Sequence, residues 1–244
     1  MSAQSALGRV HSIQTLGTLD GPGVRFVIFT QGCPLRCACC HNPDTWNCEG
    51  GKEASVYDLI ERALRYREYF GARGGVTLSG GEPLLQPTFA KALFEECHQR
   101  GLNTCLDTSG CILNEEIREL LRHTDRVLLD IKYPTDALYR EYVGCPIEEP
   151  LDFLKELDRQ SIPTTLRQVI IPGKNDTEEG LAFLADLANA YPCVDHVEIL
   201  PFHKICSVKY KQMNIPFRFA DIPAATQDDV ARCEAILAPR LIKH

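Results

Sequence analysis

The chain has 244 residues, a net charge of −7 at pH 7 and twelve cysteines. This length is enough for one substantial core, and the acidic balance argues against a nucleic-acid partner. The sequence has no apolar run of about 18 residues and no signal-peptide pattern, so we expect a cytoplasmic protein that does not insert into membranes. In such a protein the cysteines are expected to be free thiols. We also expect a monomer.

Strand-like and helix-like patterns alternate along the chain. We predict strands at 24–30, 76–78, 103–106, 126–131, 164–171 and 196–200. We predict helices at 55–70, 88–100, 114–122, 151–159, 178–191 and 226–237, with N-caps at Ser55 and Asn114 and a stop at Gly101. This alternation predicts an α/β fold with a parallel sheet and outer helices, in a single domain over residues 1–244. Six strand–helix units are too few for the usual eight-stranded barrel.

The loop after the first predicted strand carries three thiols. Cys33, Cys37 and Cys40 form a C-x3-C-x2-C motif. A structural zinc site needs four donors, whereas three thiolates on a four-iron cluster leave one iron open to a ligand from outside the protein. A zinc module that adds His41 or Cys39 as fourth donor is one alternative. A cluster that only shuttles electrons is another.

This loop resembles the signature of radical S-adenosylmethionine enzymes. The flanking stretches TLDGPGVR at 18–25, CHNPDTW at 40–46 and GGKE at 50–53 resemble those of the pyruvate formate-lyase activating enzymes, from about Gly8 to the C-terminus. The resemblance implies a partial (β/α)6 barrel and one [4Fe-4S] cluster on the three cysteines, with S-adenosylmethionine on the open iron. Cys39 occupies a position that is usually aromatic in the family.

The resemblance also implies a cofactor site at the ends of predicted strands. Gly80, Gly81 and Glu82 match the motif that receives the cofactor's amino group, and Lys132 matches the residue that pairs with its carboxylate. The other residues implied to bind S-adenosylmethionine are Cys39, Cys40, His41, Asn42, Asp130, Ile131, Arg167 and His203. The carboxyl ends of parallel strands are where chemistry gathers in such folds.

Two further assignments have plain turns as their alternative reading. Asp107 and Thr108 match residues that hold a monovalent cation, for which oxygen ligands are suited. Asp20 matches a segment that contacts the glycine loop of the protein substrate. Unlike the other candidates, Asp20 precedes its strand.

The implied activity is that of a glycyl-radical-enzyme activase. In this family S-adenosylmethionine is cleaved reductively to a 5′-deoxyadenosyl radical, which abstracts hydrogen from a backbone glycine of pyruvate formate-lyase (formate acetyltransferase). A flavodoxin or ferredoxin is the implied electron donor, and no catalytic side chain is required beyond the cluster and cofactor pocket. The alternatives are a radical enzyme acting on another glycyl-radical enzyme or on a small molecule.

Overall fold

A computed structural model describes residues 6–242. Its strands are β1 (Leu7–Gly17), β2 (Arg25–Thr30), β3 (Lys52–Ser55), β4 (Gly75–Gly80), β5 (Asn103–Thr108), β6 (Arg126–Asp130), β7 (Thr164–Ile170) and β8 (Val194–Pro201). Its helices are α1 (Val56–Leu64), α2 (Arg67–Phe70), α3 (Pro87–Gln99), α4 (Glu115–Leu121), α5 (Asp136–Tyr142), α6 (Glu148–Arg159), α7 (Glu178–Ala190), α8 (Ser207–Gln212) and α9 (Gln227–Leu237).

The strands form one sheet in the order β3-β1-β2-β4-β5-β6-β7-β8. The six predicted strands are β2 and β4 to β8, so the predicted α/β class with a mostly parallel sheet is confirmed. β1 and β3 were not predicted; they pair antiparallel with each other, and β1 pairs antiparallel with β2. The predicted helix 55–70 is wrong in its extent, because it ends at Leu64 and a separate short helix begins at Arg67.

The chain divides into two compact units. The first consists of the chain up to Pro34 together with Thr45–Leu128, and the second consists of Leu35–Asp44 and the chain from Leu129 onward. In the first unit β2, β4 and β5 run parallel, with Phe26, Val27 and Ile28 fully buried. The predicted caps are confirmed, since Ser55 accepts from the backbone of Asp58 and Asn114 from that of Ile117.

Arg25 ties together the amino ends of these three strands. Its guanidinium is fully buried and donates to the Thr77 hydroxyl (2.9 Å), the Val76 carbonyl (2.8 Å) and the Asn103 side chain (2.7 Å). Burial lowers the pKa of Arg25 from its ordinary value. The buried charge is dispersed over neutral acceptors, which fixes the starts of β2, β4 and β5 relative to one another.

In the second unit β7 and β8 run parallel and α7 and α9 pack beside them around Ile170, Leu181 and Cys233. Cys97, Cys105, Cys193 and Cys233 are all buried. The structure places none of the twelve cysteines in a disulfide.

Across residues 6–242, every helix is too short or too polar to cross a membrane.

Candidate functional site

In the first unit the three-cysteine loop begins directly at the end of β2. The Gly32 amide donates to the Thr45 carbonyl (2.7 Å), and the Cys33 amide approaches the Trp46 carbonyl (3.4 Å). The segment that carries the first thiol is therefore attached to the chain that follows the loop. This attachment leaves Cys33 itself partly exposed.

Gly80 and Gly81 end β4 against the same segment. Gly80 has φ +115°, and a Cβ there would lie 2.2 Å from the Thr30 amide nitrogen. A Cβ on Gly81 would lie 2.1 Å from the Gly32 carbonyl oxygen. Both glycines are thus required because the backbone of the cysteine loop passes against them. Glycine at these positions was expected to leave room for a ligand. In the structure, the space that a side chain would occupy at each glycine is filled by the protein's own backbone.

Glu82 is a buried carboxylate that joins two strand ends of the first unit. Its Oε1 accepts from the Thr108 hydroxyl (2.6 Å) and the Leu84 amide (3.1 Å). Its Oε2 accepts from the amide (3.0 Å) and hydroxyl (2.5 Å) of Ser109. Burial raises the pKa of Glu82, and these four donors oppose that rise by favouring the ionised form. Ser109 was not among the predicted site residues, although it directly follows one.

The two residues predicted to hold a cation lie at the end of β5, and one of them, Thr108, contacts this carboxylate. The Asp107 carboxylate accepts from the Ser79 hydroxyl at 2.7 Å, and the Thr108 hydroxyl is the group that donates to Glu82. The structure therefore brings Ser79, Glu82, Asp107 and Thr108 together at the carboxyl ends of β4 and β5. A cation at Asp107 and Thr108 stays a prediction.

In the second unit the remaining cysteines lie on a turn in which the Cys40 amide donates to the Cys37 carbonyl (3.1 Å). The turn is attached by its backbone, because the Ala38 amide donates to the Tyr142 carbonyl (2.7 Å). Ala38 is buried and the two thiols are half-buried. Residues between the cysteines hold the loop in place, so the thiols are not needed to fill the hydrophobic core.

Lys132 provides a positive charge near these thiols. Burial raises the pKa of Cys37 to about 11 and that of Cys39 to about 12, while the Lys132 charge lowers both pKa values. The Lys132 ammonium lies 2.6 Å from the Asp130 carboxylate. The cation predicted to meet a cofactor carboxylate thus already has an acidic partner within the protein.

Arg167 is likewise paired, its Nε lying 3.0 Å from the Glu198 carboxylate. The Ile131 amide donates to the Arg167 carbonyl (2.9 Å), which links the ends of β6 and β7 within the second unit. The next residue along from Lys132 is Tyr133, whose side chain is 1% exposed and whose hydroxyl has no hydrogen-bond partner among the described residues. A buried unpaired hydroxyl is unusual, and sequence reasoning missed this residue.

The segment after Cys40 is held by α8, an element that was not predicted. Lys209 Nζ donates to Asn42 (2.8 Å) and Asp44 (2.9 Å), and the Tyr210 hydroxyl donates to the Cys40 carbonyl (3.1 Å). His41 Nε2 lies 3.0 Å from the His203 carbonyl. These contacts bring together His41, Asn42 and His203. The sequence feature that marked the region of α8 was the basic composition of residues 204–211.

Asp20 lies apart from the other candidates of its unit. Its backbone carbonyl accepts from the Thr77 hydroxyl at 2.7 Å. Thr77 precedes Gly80 by three residues, which is about 10 Å along a strand. Asp20 therefore lies toward the amino ends of the strands, as its position in the sequence suggested.

The donor chemistry of the loop fits an iron–sulfur cluster. The motif offers three thiols that are in no disulfide, and it offers no carboxylate, which suits soft iron–sulfur ligation. Among residues 6–242, no group of three or more His, Cys, Asp or Glu side chains is already arranged around a metal position. The cluster assignment therefore depends on the thiol spacing and on the family, and ligand binding would have to deprotonate Cys37.

The family model described as the radical SAM superfamily matches residues 27–185. The fold is similar to that of Streptococcus suis SuiB bound to S-adenosylmethionine, with a TM-score of 0.66 and 17% identity over 87% of this chain and 46% of that chain. It is also similar to a domain of a pyruvate-formate lyase-activating enzyme from Bacteroides vulgatus, with a TM-score of 0.57 and 24% identity over 68% of this chain and 94% of that domain. These two likenesses concern the fold alone.

Sequence relatives cover nearly the whole chain. A pyruvate formate-lyase-activating enzyme from Clostridium pasteurianum is 41% identical over 232 residues, spanning 95% of this chain and 97% of its own length. The enzyme of the same name from Staphylococcus epidermidis is 42% identical over 93% of both chains. The chain belongs to the radical SAM superfamily and, within it, to the family of pyruvate formate-lyase-activating enzymes.

Proposed function

We propose that this chain activates pyruvate formate-lyase by forming a radical on one of its backbone glycines. The observation that carries the proposal is the identity of 41% to an activating enzyme over 95% of the chain, with the three-thiol loop inside the matched region. The relatives' name supplies the substrate, and the thiol motif supplies the chemistry expected of the site.

Cys33, Cys37 and Cys40 would hold a [4Fe-4S] cluster, which when bound supplies the electron for reductive cleavage of S-adenosylmethionine. The chain's own residues prepare the pocket. Lys132, which is paired with Asp130, contributes a positive charge that favours the thiolate of Cys37 and would also attract a carboxylate of the cofactor. Glu82 holds the end of β4 against the end of β5 through three hydrogen bonds, which fixes the Gly80–Gly81 turn.

The finer assignments complete the proposal. Gly80, Gly81, Asp130, Arg167 and His203 serve the cofactor. Asp107 and Thr108 bind a monovalent cation, a role supported by their oxygen side chains at the carboxyl end of β5, where Asp107 contacts Ser79 and Thr108 contacts Glu82. A flavodoxin or ferredoxin provides the electron, and the chain acts as a cytoplasmic monomer.

Anaerobic reconstitution tests the proposal. We expect about four irons per chain, as for one cubane cluster. Reduced protein mixed with S-adenosylmethionine and pyruvate formate-lyase should give a glycyl radical signal in electron paramagnetic resonance. Cys39→Ala should keep the iron, whereas Cys37→Ala should lose it. About eight irons per chain, or no glycyl signal from the wild-type chain, would contradict the proposal.

A further inference from the structure

A basic stretch interrupts the acidic chain between β8 and α9. Residues 199–220 contain no Asp or Glu, although the whole chain has a net charge of −7. The stretch includes α8 and belongs to the second unit. We define the α8 surface as Lys204, Ile205, Val208, Lys211, Met213 and Arg218.

The α8 surface exposes apolar side chains in a regular arrangement. Ile205 is 80% exposed and Val208 is 57% exposed, and they are three residues apart. That spacing places them on one face of the helical turn, whereas Cys206 and Tyr210, four residues apart, are buried on the other face. Exposed apolar groups with a charged rim are typical of protein–protein contact sites.

Among residues 6–242, no carboxylate forms an ion pair with Lys204 or Arg218. Lys204 donates to the Ala220 carbonyl and Arg218 donates to the Glu141 carbonyl (2.7 Å). Both acceptors are neutral backbone groups, so the positive charges remain available to an acidic partner. Lys209 differs, because its ammonium is paired with Asp44 at 2.9 Å and faces the cysteine segment.

The buried face of α8 contacts the segment that carries the third cysteine of the motif. The Tyr210 hydroxyl donates to the carbonyl of Cys40 itself (3.1 Å). An α-helix with its side chains is about 10 Å across, so a protein seated on Val208 would be separated from the Cys40 backbone by roughly one helix diameter. Electron transfer between proteins requires such short separations.

We propose that the α8 surface docks the acidic one-electron carrier protein, of the flavodoxin or ferredoxin class, that reduces the cluster. The inference rests on the proposed function, since it needs a cluster on Cys33, Cys37 and Cys40. One electron leaves the reduced carrier, which is oxidised by one electron, and the oxidised cluster is reduced by one electron. No covalent bond forms or breaks. The basic rim attracts the acidic carrier, and the apolar centre supplies the contact area.

The test compares two electron donors on the reconstituted full chain. Val208→Asp and Lys211→Glu change exposed positions, and Lys155→Glu on α6 makes the same charge change elsewhere. We expect the Kd for an acidic flavodoxin, measured by titration calorimetry at low salt, to rise about tenfold in each α8 variant and to stay unchanged in Lys155→Glu. Cleavage of S-adenosylmethionine driven by the flavodoxin should fall, while cleavage driven by dithionite should stay at the wild-type rate.

Melting curves and iron content that match the wild type establish that the variants are folded and loaded. Unchanged flavodoxin affinity in both α8 variants would overturn the docking proposal. The proposal would also be overturned by α8 variants that keep flavodoxin-driven cleavage but no longer activate pyruvate formate-lyase. That result would mean that the α8 surface binds the protein substrate. A wild-type chain that fails to cleave S-adenosylmethionine with dithionite would instead count against the proposed function, while the affinity measurement would still decide the docking site.

Discussion

Asp130 and Lys132 form an ion pair whose separation is 2.6 Å and whose side chains are 26% and 17% exposed. Burial alone would raise the pKa of Asp130, but the charges of Lys132 and Arg167 bring that pKa below its ordinary value. Burial would lower the pKa of Lys132, and Asp130 holds it well above the ordinary value instead. Since Arg167 is paired with Glu198 as well, both cations predicted to face the cofactor are balanced when no cofactor is present.

This balance of charges predicts that Asp130→Asn lowers the free energy of unfolding by an amount that depends on pH. Leaving a buried cation without its partner typically costs about 3–5 kcal/mol of unfolding free energy, so we expect a loss of about 3 kcal/mol near pH 7. Because the folded-state pKa of Asp130 lies below the unfolded value, its stabilisation is present above pH about 4 and is lost as the pH falls through the folded-state pKa. The difference between wild type and variant should therefore shrink toward acid.

Urea unfolding of the metal-free chain near pH 7 and in acid measures this difference. Asp152→Asn is a matched control, because Asp152 pairs with Lys155 at 2.8 Å on an exposed helix face. We expect that control to leave the free energy of unfolding nearly unchanged, because solvent screens an exposed ion pair. A deficit for Asp130→Asn that stays constant or grows in acid would mean that Asp130 does not stabilise the fold as an anion.

At the scale of elements, α8 links the cysteine loop to a part of the chain that is distant in sequence. Lys209 on α8 bridges Asn42 and Asp44 with distances of 2.8 Å and 2.9 Å. The side chains of Lys209 and Asp44 are about one third exposed, so solvent screening limits the ion pair to about 0.2–1 kcal/mol. The bridge therefore restrains a local segment more than it stabilises the whole fold.

Lys209→Met should loosen the segment that follows Cys40. Loss of up to about 1 kcal/mol of local stability corresponds to amide exchange that is about two- to fivefold faster. Hydrogen exchange with mass spectrometry on a peptide covering 40–46 measures it in the metal-free chain. Lys211→Ala on the same helix is the control and should leave exchange in this peptide unchanged. Equal exchange in Lys209→Met and wild type would mean that the Lys209 contacts do not restrain the segment.

The elements also show which features a sequence pattern can reveal. The parallel strands were predictable because runs such as Phe26–Phe29 are apolar on both faces. β1 was missed because its residues alternate incompletely between buried and half-exposed, and its extension depends on pairing with β2 and β3. α8 was missed because part of its apolar side-chain surface faces solvent, which hides the usual periodicity.

The sequence pattern also did not reveal the site residues whose roles depend on long-range contacts. The four donors around Glu82 come from Leu84, Thr108 and Ser109, and a local pattern does not pair a glutamate with a hydroxyl 26 residues away. The predicted strand ends were still informative, because Glu82, Asp107 and Thr108 do meet there. The partners of Lys132 and Arg167 follow from packing, which single-sequence reasoning does not supply.

At the scale of the whole molecule, the two ends of the parallel strands of the first unit serve different purposes. The carboxyl ends gather Glu82, Asp107 and Thr108, whereas the amino ends are fixed by Arg25. Asp20 belongs to this second group, since its carbonyl accepts from Thr77, the same hydroxyl that accepts from Arg25. The backbone of Asp20 thus has a structural role.

Asp20→Ala should therefore separate the two reactions of the activase. The substitution keeps the carbonyl that accepts from Thr77, so the fold and the cofactor residues near Gly80 should be undisturbed. We expect cleavage of S-adenosylmethionine without partner to stay within about twofold of wild type, and glycyl radical formation on pyruvate formate-lyase to fall about tenfold, as for loss of a charged interface contact. In Asp20→Asn, which keeps the shape of the side chain, glycyl radical formation should fall less. If both reactions fall together, Asp20 supports the cofactor site or the fold; if neither falls, the partner's glycine loop does not contact this segment.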